Sequence, residues 1–101
     1  MFPVYEYDRP YTPDPEFVAK ADPDNQYLFC KSHLAYLKVI RDFSKDREER
    51  NHARNQIDLV LDRLEFWSER TIDSWYVIEE SKKIDRDCEK EMAKHRVRMF
   101  D

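Results

Sequence analysis

An all-α fold, a small helical bundle of about three main helices behind an extended N-terminal arm, is what three features of this chain predict. It contains no glycine, all five prolines fall within the first 23 residues, and from there on apolar residues recur at helical spacing. Without glycine, hairpin turns, phosphate-cradling loops and left-handed helix caps lose their usual residue, which removes P-loop and dinucleotide-fold readings. After Pro23 nothing forces a helix to stop. A length of 101 residues allows one domain with one modest core. The mixture of 41% hydrophobic and 40% charged residues suits amphipathic helices with large solvated faces, and 14% aromatics argue against disorder.

Residues 1–13 form the arm. Phe2, Val4, Tyr5, Tyr7 and Tyr11 are interleaved with Glu6, Asp8 and Arg9, and the prolines bias this stretch toward extended geometry. A helical domain over 14–101 follows. Asp14-Pro15 and Asp22-Pro23 each supply a capping carboxylate and a proline at the first helical position, predicting a short helix over 15–21 and a long one over 23–43. At 100° per residue Phe29, Cys30, His33, Tyr36, Leu37, Ile40 and Phe43 share one arc of the long helix, with Lys31, Lys38, Asp42 and Lys45 opposite. Ser44-Lys45-Asp46 makes the turn, and Asp46 with Glu49 forms an Asp-x-x-Glu capping pattern for a helix over 46–70.

From Ile57 a stripe runs through Val60, Leu61, Leu64, Trp67 and Thr71 toward Trp75 and Val77-Ile78, while Leu59, Phe66 and Val77 form a second, narrower ridge about 120° away. Past residue 80 the apolar face passes to Ile84, Cys88, Met92, His95 and Met99. That change of face exceeds the ~20° per heptad drift of a straight helix, so a break or kink is expected. It falls either near Thr71 and Ser74 or between Glu79 and Lys83, with a last helix over 72–99. Unbroken, residues 46–99 would extend about 80 Å at ~1.5 Å per residue, too long for one small core. A homodimer is therefore expected, with Leu59, Phe66, Ile84 and Cys88 as its self-association residues.

No apolar run approaches the ~20 residues that span a bilayer, and the first residues lack the basic and apolar regions of a signal peptide. A soluble cytoplasmic protein with Cys30 and Cys88 as free thiols is the expectation, a disulfide between them being the alternative. Net charge is −4, unevenly spread: −4 over residues 1–29, +3 over 30–55, −5 over 56–91 and +2 over the last ten. Such patchiness bears on partners more than on fold.

The sharpest polar feature is an acidic stripe, Asp58, Asp62, Glu65, Glu69 and Asp73, spaced to share one helix face. It reads as a docking face for a basic surface of another protein, or as a solvated face balanced by Arg63 and Arg70. The aromatic arm, through Phe2, Tyr5, Tyr7 and Tyr11, is the second candidate contact; its alternative is to wrap its own helices, or a sister subunit's, over Leu59 and Phe66. Neither metal nor other cofactor is expected. The two facing Glu-x-x-His motifs of di-iron bundles are missing, Glu49 and His52 giving one such spacing and no second, and Cys30, His33, Cys88 and His95 match no compact zinc spacing. No serine sits in a recognisable nucleophile elbow, so the sequence predicts no enzyme.

The function expected is therefore a non-enzymatic protein–protein interaction module, an adaptor or inhibitor. A phage-type antagonist of a nucleic-acid-binding host protein is one version, by analogy alone. Two rivals stand beside it. A nucleic-acid-binding dimer would use the basic residues of 38–54 and 94–98, against an unfavourable net charge. A structural homo-oligomer would use only its apolar ridges.

Overall fold

Both Asp-Pro pairs start helices. In the computed structural model, which describes residues 2–71 and 75–100 (side chains through residue 97), Asp14 Oδ1 accepts the Glu16 amide at 2.9 Å to open α1, Pro15–Lys20. Asp22 Oδ1 accepts the Asp24 amide at 3.0 Å to open α2, Pro23–Phe43. In each, proline occupies the first turn, where its missing N–H leaves no acceptor unsatisfied. Helix α3, Arg47–Ser68, starts at Asp46, whose carboxylate takes the Glu48 amide at 2.9 Å. The expected reciprocal bond from Glu49 is replaced: the Asp46 amide donates to Ser44 Oγ at 3.2 Å. Helix α4, Trp75–Phe100, completes an all-α fold, with no strand among the described residues.

The helices end without glycine because side chains take the last carbonyls. At the end of α3, Ser68 Oγ donates to Glu65 O at 2.8 Å, Arg70 Nη1 to Phe66 O at 3.0 Å, and Thr71 Oγ1 to Trp67 O at 2.9 Å. Past the end of α2, Arg50 Nη1 donates to Ser44 O at 2.7 Å. Of the two break points the sequence leaves open, the chain uses the one at Thr71, while α4 runs unbroken through 79–83. Thr71 closes α3; Ser74 lies outside the described residues.

Helix α2 is central. Its turn into α3 makes the two antiparallel, and Thr71 Oγ1 at the far end reaches Pro23 O at 3.4 Å. Cys30, Leu34 and Leu37 meet Ala53, Ile57, Val60 and Trp67 there in a closed core. Helix α4 packs on another side of α2 and runs parallel to it: Lys31 pairs with Asp85, Cys88 Sγ lies 3.9 Å from Ala35 O, and Phe43 stacks on His95 with ring centres 5.1 Å apart. Among the described residues α3 and α4 make no close backbone approach. The result is an open layer ordered α3–α2–α4, only 19 Å across its thinnest dimension.

This arrangement corrects the one-faced reading of α2. Ala35 and Val39, outside the predicted arc, are covered or half-covered by α4, so the helix is packed on several sides. It also corrects Trp75 and Leu61, both read as part of the stripe. The break resets the helical phase, so that Val77, Cys88, Met92 and His95 take the face toward α2 while Trp75 is left 77% exposed. Leu61 lies on the flank of α3 away from the central seam and is also exposed.

Candidate functional site

The arm folds back over α2 and α3. Phe2 lies flat on the His33 ring, centres 4.7 Å apart, with Phe29 and Tyr36 beside it. Tyr5 is fixed through its backbone: its N–H donates to Gln56 Oε1 and its carbonyl accepts from Gln56 Nε2, each at 2.8 Å. One buried amide side chain thereby does for an extended strand what a neighbouring strand would do. Tyr11 meets the edge of Phe66 at 5.3 Å. Tyr7, the remaining aromatic candidate, points outward and is 82% exposed.

Arg63 is the hub that the sequence did not reveal. Its guanidinium carbon sits 3.7 Å from the Tyr5 ring centre and 4.5 Å from that of Tyr11, and its nitrogens form a two-pronged pair with Asp8 at 2.8 and 3.2 Å. Such stacking needs the planar, weakly hydrated arginine head rather than a lysine. Burial, with Arg63 as a smaller contribution, pushes the His33 pKa down to about 4, and its Nδ1 has no hydrogen-bond partner. Burial also raises the Cys30 thiol to about 11 and the Tyr5 and Tyr11 phenols above their ordinary range. His33 and Cys30 thus form a neutral floor beneath the arm.

The acidic stripe lies on the side of α3 turned from α2. Asp58, Glu65 and Glu69 are exposed, and Asp73 lies outside the described residues. Asp62 is engaged by the arm: Arg9 Nε and Nη2 donate to its two oxygens at 3.2 and 3.3 Å, which raises the arginine pKa. Glu69 has Arg70 nearby at 3.9 Å.

The four residues expected to join copies of the chain are all packed within one copy. Leu59, between Gln56 and Arg63 on the arm-covered face of α3, is only 4% exposed, and Phe66 is wedged among Tyr11, Trp67 and Arg70. Ile84 and Cys88 face α2, half-buried. The arm thus packs on Leu59 and Phe66, while Ile84 and Cys88 border an open seam. Both cysteines are free thiols.

Much of the basic segment is also occupied. Arg41 pairs with Asp42, Arg50 caps α2, Arg54 binds Asn51, and Lys94 lies 4.0 Å from Glu91. Among the described residues no group of three or more His, Cys, Asp or Glu is arranged for a metal ion. None of the helices is long and apolar enough to cross a membrane, among the described residues.

A surface not anticipated from sequence runs between α2 and α4. Ser32, Tyr36, Val39, Ile84 and Cys88 line a cavity of about 430 Å³ with an apolar floor. It adjoins a second, of about 530 Å³, bordered by Phe2, Phe29 and Tyr76. Val39 and Tyr76 carried no role in the periodicity, because the α2–α4 pairing that brings them together is set by tertiary packing.

Fold and surface together define a class, a small all-α protein whose candidate sites are faces rather than an enclosed cleft. Compared with known protein families, curated proteins and solved structures, the chain matches none.

Proposed function

We infer that this chain is a non-enzymatic interaction protein that docks on a basic surface of another protein through the outward face of α3. One observation carries the reading: Asp58, Glu65 and Glu69 stand exposed along that face, with Asp62 beside them under Arg9. Like charges at this spacing repel by a few tenths of a kcal/mol per pair, a penalty that a cationic surface relieves. The field of such a stripe also speeds encounter with a basic partner. Because Phe2, Tyr5 and Tyr11 are used internally, the arm acts as a brace for the stripe, and Tyr7 remains as an aromatic contact at its edge. Adaptor and inhibitor differ here only in what the covered surface of the partner does. Antagonism of a nucleic-acid-binding protein is one form, by analogy of charge. A cytoplasmic location accords with two free thiols.

The test is carbodiimide cross-linking, which joins carboxylates to lysines in direct contact, after capture from source-cell lysate with and without nuclease treatment. A retained protein cross-linked through Asp58, Glu65 or Glu69, and lost by more than about tenfold (~1.4 kcal/mol) with Glu65→Lys/Glu69→Lys, is the expected result. Retention of nucleic acid alone, abolished by Arg47→Glu, would replace this reading with the basic-surface alternative. Capture indifferent to the reversal would end it. Asp62 is left out of this test because it is already paired with Arg9 and is not a free carboxylate of the stripe.

A further inference from the structure

The groove between α2 and α4 lies across α2 from the acidic face of α3, so it can be judged independently of the reading above. Two adjoining cavities, of about 430 and 530 Å³, share Ser32, Ile84 and Asp87 and form one channel. Its floor and α2 wall are apolar, from Phe29 through Tyr36 to Ile40. Phe29, Tyr36 and Tyr76 are 40–55% exposed there. A run of large side chains along one open seam is unlike the scattered single hydrophobics of an ordinary surface.

Two properties select an occupant. The first is backbone chemistry. Both walls are helices whose N–H and C=O groups are already paired within them, so the groove offers no edge to an extended strand. An occupant must satisfy its own backbone, which a helix does. From Phe29 to Ile40 the wall extends about 16 Å at ~1.5 Å per residue, or roughly three helical turns. The second is charge. The α4 wall presents Glu80, Asp87 and Glu91 against the single base Lys83. Glu91 is shared with His95 at 3.3 Å and Lys94 at 4.0 Å, whereas Asp87 is exposed on the rim.

We propose that this groove receives an amphipathic helix of a partner protein, about three turns long, with an apolar ridge and a lysine- or arginine-bearing flank. The ridge seats between Tyr36, Val39 and Ile84, and the basic flank lies along Glu80 and Asp87. This is helix-in-groove recognition, in which apolar anchors supply affinity and the rim sets orientation.

Two fluorescein-labelled helical peptides test it, sharing one leucine ridge and differing only in a lysine or a glutamate flank. Fluorescence anisotropy with the full chain should give at least ~10-fold tighter binding of the lysine peptide, about 1.4 kcal/mol. Ile84→Glu should abolish binding. Glu80→Lys/Asp87→Lys, at rim positions that leave the floor intact, should reverse the preference between peptides, with unchanged helix content by circular dichroism. Equal binding of both peptides, or a preference that survives the rim reversal, would overturn the proposal. So would sedimentation equilibrium showing that the chain pairs with itself and that Ile84→Glu dissociates the pair, since a second copy would then be the occupant.

Discussion

Helix α2 is packed by α3 and by α4, and the two seams differ in kind. Toward α3, Cys30, Leu34 and Leu37 interlock with Ala53, Ile57, Val60 and Trp67, where Val60 and Trp67 are essentially inaccessible. The arm then covers the flank of that seam with Phe2, Tyr5 and Tyr11. Toward α4, Val77 and Met92 are buried, but Ile84 and Cys88 are half-buried and Trp75, Tyr76 and Ile78 face water. The lesson concerns closure. A helix pair needs a third element to exclude water from its flanks; the arm closes the flank of the α2–α3 seam, whereas the α2–α4 seam stays open between Tyr36 and Ile84, with Leu64 and Ser68 of α3 reaching its other side. Local stability should follow that division.

The largest effect that could break the comparison is the pair Trp67→Ala and Met92→Ala. Truncating the fully enclosed tryptophan should cost about 3–5 kcal/mol, and truncating Met92 about 2 kcal/mol, the low end for a large-to-small change. Urea denaturation measures both; equal costs would show the two seams to be one unit. Thiol labelling refines the same contrast. Cys88 should react with Ellman's reagent through local opening of α4. Cys30, enclosed and with its thiol raised to about 11, should react only when the α2–α3 core opens.

Next in size is the arm. Gln56→Ala removes both hydrogen bonds to the Tyr5 backbone and leaves that partly buried N–H and C=O unpaired, costing about 2–3 kcal/mol. Chymotrypsin cleavage after Tyr5 and Tyr11, both half-buried in the folded chain, should accelerate at the same time. Unchanged cleavage would mean that aromatic stacking alone retains the arm.

A pH-dependent effect belongs to His33. Its pKa falls from an ordinary value near 6.5 to about 4 in the folded chain, so between those values the unfolded chain binds the additional proton. Stability from this group is therefore complete above about pH 6.5 and is lost as pH falls toward 4. One proton contributes a slope of at most about 1.4 kcal/mol per pH unit. Urea midpoints measured across this window should show that slope flatten in His33→Phe; an identical slope would place the acid sensitivity elsewhere.

Much of this fold is legible from local rules, and most of the surface is not. Asp14-Pro15 and Asp22-Pro23 fix helix starts through nearest-neighbour chemistry, and α2 has both of its predicted ends. The switch of apolar face announces a break, and Thr71 marks it because its hydroxyl can close the preceding turn. Trp75 was misplaced because a break resets helical phase, which no single period describes. The stripe carboxylates could be assigned a common face from spacing, but Arg9 on Asp62 and Arg63 between two tyrosines join residues more than 50 positions apart. Such pairings arise only after the arm has chosen a side of α3. The α2–α4 groove was hidden for the same reason: it consists of the gap between two helices whose parallel pairing has no local signature.

The smallest expected effect sharpens what holds the arm. Arg9→Ala deletes a two-pronged pair with Asp62, but the arginine is well exposed to solvent, where screening by water leaves an ion pair contributing little. The urea midpoint should stay at the wild-type value, and raising salt to ~1 M, where the screening length is about 3 Å, should likewise leave the arm bound. Tyr5 and Tyr11, by contrast, grip Arg63 through stacking and apolar contact that salt does not screen. If Arg9→Ala instead released the arm, with the chymotrypsin sensitivity of Gln56→Ala, the arm would be held electrostatically. A basic partner binding the α3 stripe would then compete with Arg9 for Asp62 and lift the arm from the core.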